Sequence, residues 1–135
     1  MSKTENELKT ALIKDLRNAG WYARRLEDQF AVGLMDMLVC IPYGPTVAIE
    51  AKRIAHQTFA PTPRQYIELE RFAAHSITDM YPPRRFSWLL GFQNGLMYLH
   101  PLAKSAKIED CLEQLPGEHP TVFIKRFLQC QTTAQ

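Results

Sequence analysis

Apolar residues recur at helical spacing from Thr4 to Ala19, where Leu8, Leu12, Leu16 and Ala19 share a stripe flanked by Ala11. Gly20 follows as a C-cap, so the stretch predicts an amphipathic helix. Trp21 to Leu26 alternates loosely and predicts a strand. Met37 to Ile41 and Thr46 to Ala51 are short apolar runs separated by Pro42, Gly44 and Pro45, the pattern of a hairpin closed through a Tyr-Gly-Pro turn. After Lys52 the period is lost over RIAHQTFAPTP, which predicts a loop. Thr62 then stands as N-cap before Pro63, opening a helix to about His75 with Tyr66, Leu69, Phe72 and Ala73 on one face. Pro82 and Pro83 break the chain. Phe86 to Phe92 and Leu96 to Leu99 flank Gln93-Asn94-Gly95, and Asn-Gly between apolar runs marks a second hairpin. A last helix is predicted from Lys104 to Leu115, and Val122 to Leu128 fits either a strand or a short helix. The succession of helix, strand, hairpin, helix, strand, strand and helix describes an α/β or α+β layer structure, a mixed sheet with helices packed on it.

Composition narrows the class. A chain of 135 residues that is 46% hydrophobic suits one core, so residues 1–135 are expected to form a single domain, with 131–135 as a frayed tail. Sixteen basic residues against fourteen acidic ones give +2, so a nucleic-acid partner would have to be held by a local basic surface. Cys40, Cys111 and Cys130 form neither a CxxC pair nor a zinc-like cluster with histidine, which points to reduced thiols. MSKTENELKT lacks the apolar region of a secretory signal, and no run reaches the roughly 18 apolar residues of a membrane span. A cytoplasmic location is therefore expected, with no membrane partner.

The candidate chemistry lies between Gly33 and Lys52. On a strand, residues two apart share a face, so Glu50 and Lys52 project together while Val47, Ile49 and Ala51 face the core. Asp36 opens the preceding strand, and the hairpin can bring it beside Glu50. Two close carboxylates repel unless a cation lies between them, which makes sense of Mg2+ or Mn2+ on Asp36 and Glu50, with the Ala51 carbonyl as a further oxygen ligand. The Lys52 ammonium would orient or help deprotonate the attacking water and stabilise charge growing on a phosphorane. On the first helix, at about 100° per residue, Glu5 falls on the buried stripe and Glu7 well away from it, so Glu5 is the expected helix carboxylate.

The series Glu5-x-x-Leu8, Gly33-Leu34-Met35-Asp36, Glu50-Ala51-Lys52 and Thr62-Pro63-Arg64-Gln65 resembles the PD-(D/E)XK nuclease superfamily. It is most similar to the VRR-NUC branch and phage-type Holliday junction resolvases. The likeness covers roughly Glu5 to Phe92, and Met35 stands where those proteins usually have proline. The resemblance implies a restriction-endonuclease-like core, a mixed central sheet flanked by helices. It implies that Asp36 and Glu50 bind the metal, that Lys52 assists the water, that Glu5 completes the site, and that Gln65 contacts the site or the phosphate. The cofactor would be Mg2+, with Mn2+ able to substitute.

Arg53 and Arg64, and then Arg24 and Arg25, are the arginines expected to gather near the carboxylates and hold DNA phosphates. With no recognisable sequence-reading module, specificity is expected to come from DNA shape. The expected activity is Mg2+-dependent endonucleolytic cleavage of branched DNA, with Holliday junction resolution as the most specific form. A homodimer would supply two sites for symmetric strands, its interface drawn from Ile108, Leu112, Leu115, Val122, Phe123 and Phe127. A phage origin would place the protein in the host cytoplasm. Three other readings share these residues: a flap, nicking or restriction-like nuclease; a nuclease-fold protein that binds DNA or inhibits without cutting; and an unrelated α/β domain whose E-x-K is a surface accident.

Overall fold

Thr4 opens the first helix, α1 (Glu5–Asn18), through a reciprocal cap. The Glu7 amide donates to the Thr4 hydroxyl at 3.2 Å, and the Thr4 hydroxyl and amide both donate to the Glu7 carboxylate. Gly20, at φ +87°, ends the helix in the left-handed region that glycine adopts without a steric penalty. The structure is a computed structural model that describes residues 3–26, 35–74 and 85–133. Gly33 and Leu34, His75, the Pro82-Pro83 break, Arg84 and the last two residues of the expected tail lie outside the described residues.

Six strands form the main sheet in the order β1 (Tyr22–Arg25), β2 (Met37–Cys40), β3 (Thr46–Arg53), β5 (Arg85–Gln93), β6 (Leu96–Pro101) and β8 (Leu112–Glu113). The sheet is mixed: β3 and β5 run parallel, while the other neighbours are antiparallel. The second helix, α2 (Pro63–Ala74), connects the parallel pair. A small second sheet pairs β4 (Thr58–Phe59) with β7 (Ala106–Lys107). This is a mixed α/β fold with a central sheet flanked by helices, the restriction-endonuclease-like architecture.

The faces of the sheet carry separate cores. On one side Leu12, Ile13 and Leu16 of α1 meet Phe123, Ile124 and Phe127 of the last helix, α3 (Pro120–Thr133), over Met37, Val39, Val47, Ile49 and Trp88. On the other, Leu69 of α2 packs with Ala48, Leu89, Ile54 and Phe59. Both hairpins form as the turn residues predict. Ile41 donates to the Pro45 carbonyl at 3.1 Å with Tyr43 at φ +59°, and Asn94-Gly95, at φ +52° and +78°, makes the two-residue turn between β5 and β6.

One expected element is corrected. The helix predicted from Lys104 to Leu115 does not form; β7, one turn of 3₁₀ helix over Ile108–Asp110 and β8 take its place. Open sheet edges supply the reason, because β7 pairs with β4 and β8 with β6, while Leu115, which a helical stripe would bury, stays 57% exposed. The last helix, α3, runs to Thr133 and anchors itself with Phe123, Ile124 and Phe127 at helical spacing. Those buried phenylalanines are therefore core rather than free subunit interface, leaving Leu115 and Val122 as the exposed members of the apolar set named for a dimer.

Candidate active site

Register places the two central carboxylates. Met37 pairs with Ile49, so Asp36, one residue before β2, comes opposite Glu50 on the side of the sheet that faces α2. Asp36 is clamped in three ways: its carbonyl accepts from the Leu26 amide at 2.8 Å, and its Oδ2 accepts from the Ala51 amide at 2.9 Å and from Lys9 Nζ at 2.8 Å. Met35, in the position usually held by proline in the resembled family, is buried beside Leu69 and Ala48; apolar packing, rather than a ring, fixes the approach to Asp36.

Glu50 is wholly buried, and neither of its carboxylate oxygens has a hydrogen-bond partner among the described residues. Its nearest cation is Lys52, whose Nζ lies 3.4 Å from Oε1. Burial, and then repulsion from the Asp36 carboxylate, push the Glu50 carboxyl up to about 8, against the smaller opposing pulls of Lys52 and Lys9. An orphaned carboxylate is costly in a folded core and demands either a proton or a cation. Lys52 is half-buried and keeps part of its side chain in water, as a group that handles a solvent molecule must.

Glu5 faces the end of β3, where its Oε1 accepts from the Arg53 amide at 2.8 Å, whereas Glu7 serves the Thr4 cap. Lys9, one turn on, is a site residue that the sequence reading passed over. Its side chain is 9% exposed and its ammonium bridges Asp36 at 2.8 Å and Glu5 Oε2 at 3.7 Å. The signal was present, because Glu5, Lys9, Leu12 and Leu16 lie on one stripe, and a lysine among core positions requires an anionic partner.

Other expected residues stand elsewhere. Gln65 makes its hydrogen bonds at the start of α2. Its Oε1 accepts from the Thr62 amide at 2.8 Å while its own amide donates to the Thr62 hydroxyl at 3.2 Å, capping α2. Arg25 faces α1, donating to Asn6 Oδ1 at 2.6 Å and Thr10 Oγ1 at 3.2 Å, so strand alternation turns it away from the Glu50 side. Arg24 is exposed and, paired with Leu38, sits on the Glu50 side. Arg53 is exposed beside a groove of about 560 Å³ between α1 and the β5–β6 turn; none of the site carboxylates lines that groove. Arg64 is exposed in the first turn of α2.

No protein-family model matches the chain, and no curated protein matches its sequence. Among solved structures the fold is similar to that of a 1.6 Å resolution structure of Archaeoglobus fulgidus Hjc, a Holliday junction resolvase from an archaeal hyperthermophile. The TM-score is 0.60 at 15% identity, and the match covers 82% of this chain and 92% of that one. At that identity the likeness is one of fold.

The donor set suits a hard divalent cation. Asp36 and Glu50 offer carboxylate oxygens at one point, and Glu50 holds two acceptors that no donor among the described residues satisfies. Among the described residues no group of three Asp, Glu, His or Cys side chains is arranged around one metal position, because Glu5 is turned toward Arg53 and Lys9.

Proposed function

We propose that the chain is a metal-dependent endonuclease of the PD-(D/E)XK superfamily that hydrolyses phosphodiester bonds in branched DNA, with the Holliday junction as its substrate. The observation that carries the reading is Glu50: fully buried, without a hydrogen-bond donor on either oxygen among the described residues, beside Asp36 and Lys52 on a resolvase-like sheet. Mg2+, or Mn2+ in its place, would be held by Asp36 and Glu50 with the Ala51 carbonyl as a further ligand. Bound there, it would polarise the phosphate and lower the pKa of a coordinated water.

The protein's own groups do the rest. Glu50 would hold the ion as a carboxylate, its proton having passed to solvent. Asp36 stays fixed because Ala51 and Lys9 hold one of its oxygens. Lys52, anchored by Glu50 at one side and open to solvent at the other, orients the attacking water and stabilises charge on the phosphorane oxygens. Arg24 and Arg64 are exposed and free to reach phosphates, and Arg53 would take a strand leaving along the α1 side.

The test compares wild type with Glu50→Ala on a labelled four-way junction, linear duplex and single-stranded DNA, in Mg2+, Mn2+ or EDTA. Wild type is expected to give paired, symmetric incisions on the junction only when metal is present. The variant is expected to lose at least about a hundredfold in rate, the scale of removing one electrostatic element of such a site. Equal cleavage by both proteins would sink the assignment. Single incisions on flaps or nicked duplex, without junction preference, would move the substrate to those neighbours.

A further inference from the structure

Resting on the nuclease reading, the geometry points to Lys9 as a built-in cation that replaces a second divalent ion, so that the centre takes one metal ion per chain. Glu5, Asp36 and Glu50 all approach the end of β3, but their oxygens are not equivalent. Glu5 is engaged at both: Oε1 by the Arg53 amide at 2.8 Å and Oε2 by Lys9 at 3.7 Å. Asp36 is engaged at Oδ2 by Lys9 at 2.8 Å and by the Ala51 amide at 2.9 Å. Of the three, Glu50 has both oxygens without a hydrogen-bond donor among the described residues. A divalent ion therefore has an opening between Asp36 and Glu50. The space between Asp36 and Glu5 is held by the ammonium, which would repel a second ion at such range.

Burial fixes this division. The Lys9 side chain is 9% exposed and emerges from the stripe that also presents Leu12 and Leu16, so its stem is packed and its head cannot swing into bulk water without undocking the first turn of α1. The capping box at Thr4 and the bond from the Arg53 amide to Glu5 hold that turn in place. Charge favours the same count. With Glu50 ionised, as it would be when it holds a cation, three carboxylates against Lys9 and Lys52 leave one negative charge; one divalent ion makes the centre singly positive, suited to the extra charge of a phosphorane, whereas two would leave it triply positive. Lys9 is thus a positioning residue: it acts through Asp36 and Glu5 and sets how many ions those carboxylates accept.

Metal-free wild type, Lys9→Met and Lys9→Arg are titrated with Mn2+, following heat and the electron-spin resonance signal of free Mn2+, with no DNA present. Wild type and Lys9→Arg are expected to bind one Mn2+ per chain. Lys9→Met, which keeps the packed stem and removes the charge, is expected to bind a second ion between Glu5 and Asp36. A purely structural lysine would not change the count. Two ions on wild type overturn the inference even if Lys9→Met fails to fold, and so does a count of one in all three proteins. The nuclease reading fails separately. Wild type that binds one Mn2+ but cuts no DNA leaves Lys9 assigned and removes the activity. Wild type that binds two and cuts removes only Lys9, and wild type that binds none overturns both.

Discussion

Glu50 shows what the site demands of the fold at the level of one residue. It is buried beside the Asp36 carboxylate, with no donor on either oxygen among the described residues, so in metal-free protein it keeps its proton to about pH 8, far above its ordinary 4.5. The folded state then holds a proton that the unfolded chain has already released, and stability falls as pH rises between those values. The slope is at most about 1.4 kcal/mol per pH unit for one proton. Urea unfolding in EDTA is expected to show wild type losing stability from about pH 5 to about pH 9, with Glu50→Gln much flatter and the more stable protein at the alkaline end. Parallel pH profiles for the two proteins would remove Glu50 as the cause. At this scale the sequence was legible where strand alternation governs, for Glu50, Lys52 and Asp36. Also legible was the side of α1 on which Glu5 and Glu7 lie, which the helical stripe sets and their contacts with Arg53 and Thr4 follow. Lys9 was missed because a lysine in a polar-looking first turn reads as solvated unless the stripe is followed through the charged positions too. Gln65 takes a second part that the sequence did not announce: its Oε1 accepts from the Thr62 amide and its backbone amide donates to the Thr62 hydroxyl.

Among the elements, α2 stands on that Thr62–Gln65 exchange. Thr62→Ala is expected to lower stability by about 1 kcal/mol, the usual loss for an N-cap hydroxyl. Gln65→Ala should act in the same direction and leave Mn2+ binding unchanged; a loss of Mn2+ affinity would return Gln65 to the metal site. Local pattern gave α1, α2 and both hairpins, because each carries its own periodicity and its own turn chemistry. It failed from Lys104 to Leu115, where Ile108, Leu112 and Leu115 imitate a helix. Two waiting edges, on β4 and β6, hold that segment extended instead. The same limit applies to α3: its phenylalanines suited strand or helix, and packing against α1 and Trp88 decided between them.

In the whole molecule, the order of strands was the least legible property, since nothing local announces that β3 and β5 lie side by side and parallel. That pairing joins residues far apart, as does the bond from Glu5 to Arg53, which spans 48 positions. The β2–β3 hairpin is different, for only Ile41 to Pro45 separate its strands. Short loops close sooner than long ones. The hairpin therefore draws Asp36 opposite Glu50 before α1 has brought the Lys9 ammonium to them, and refolding must climb a hill of like charge that the finished protein no longer shows. In EDTA near neutral pH, a tenfold rise in ionic strength, from about 0.05 M, should speed refolding by shortening the screening length. Stopped-flow fluorescence would follow it through Trp21 and Trp88, both buried. Asp36→Asn should refold at nearly the same rate at both salt concentrations; equal salt sensitivity in the two proteins would mean that the carboxylates meet only once the helix has arrived.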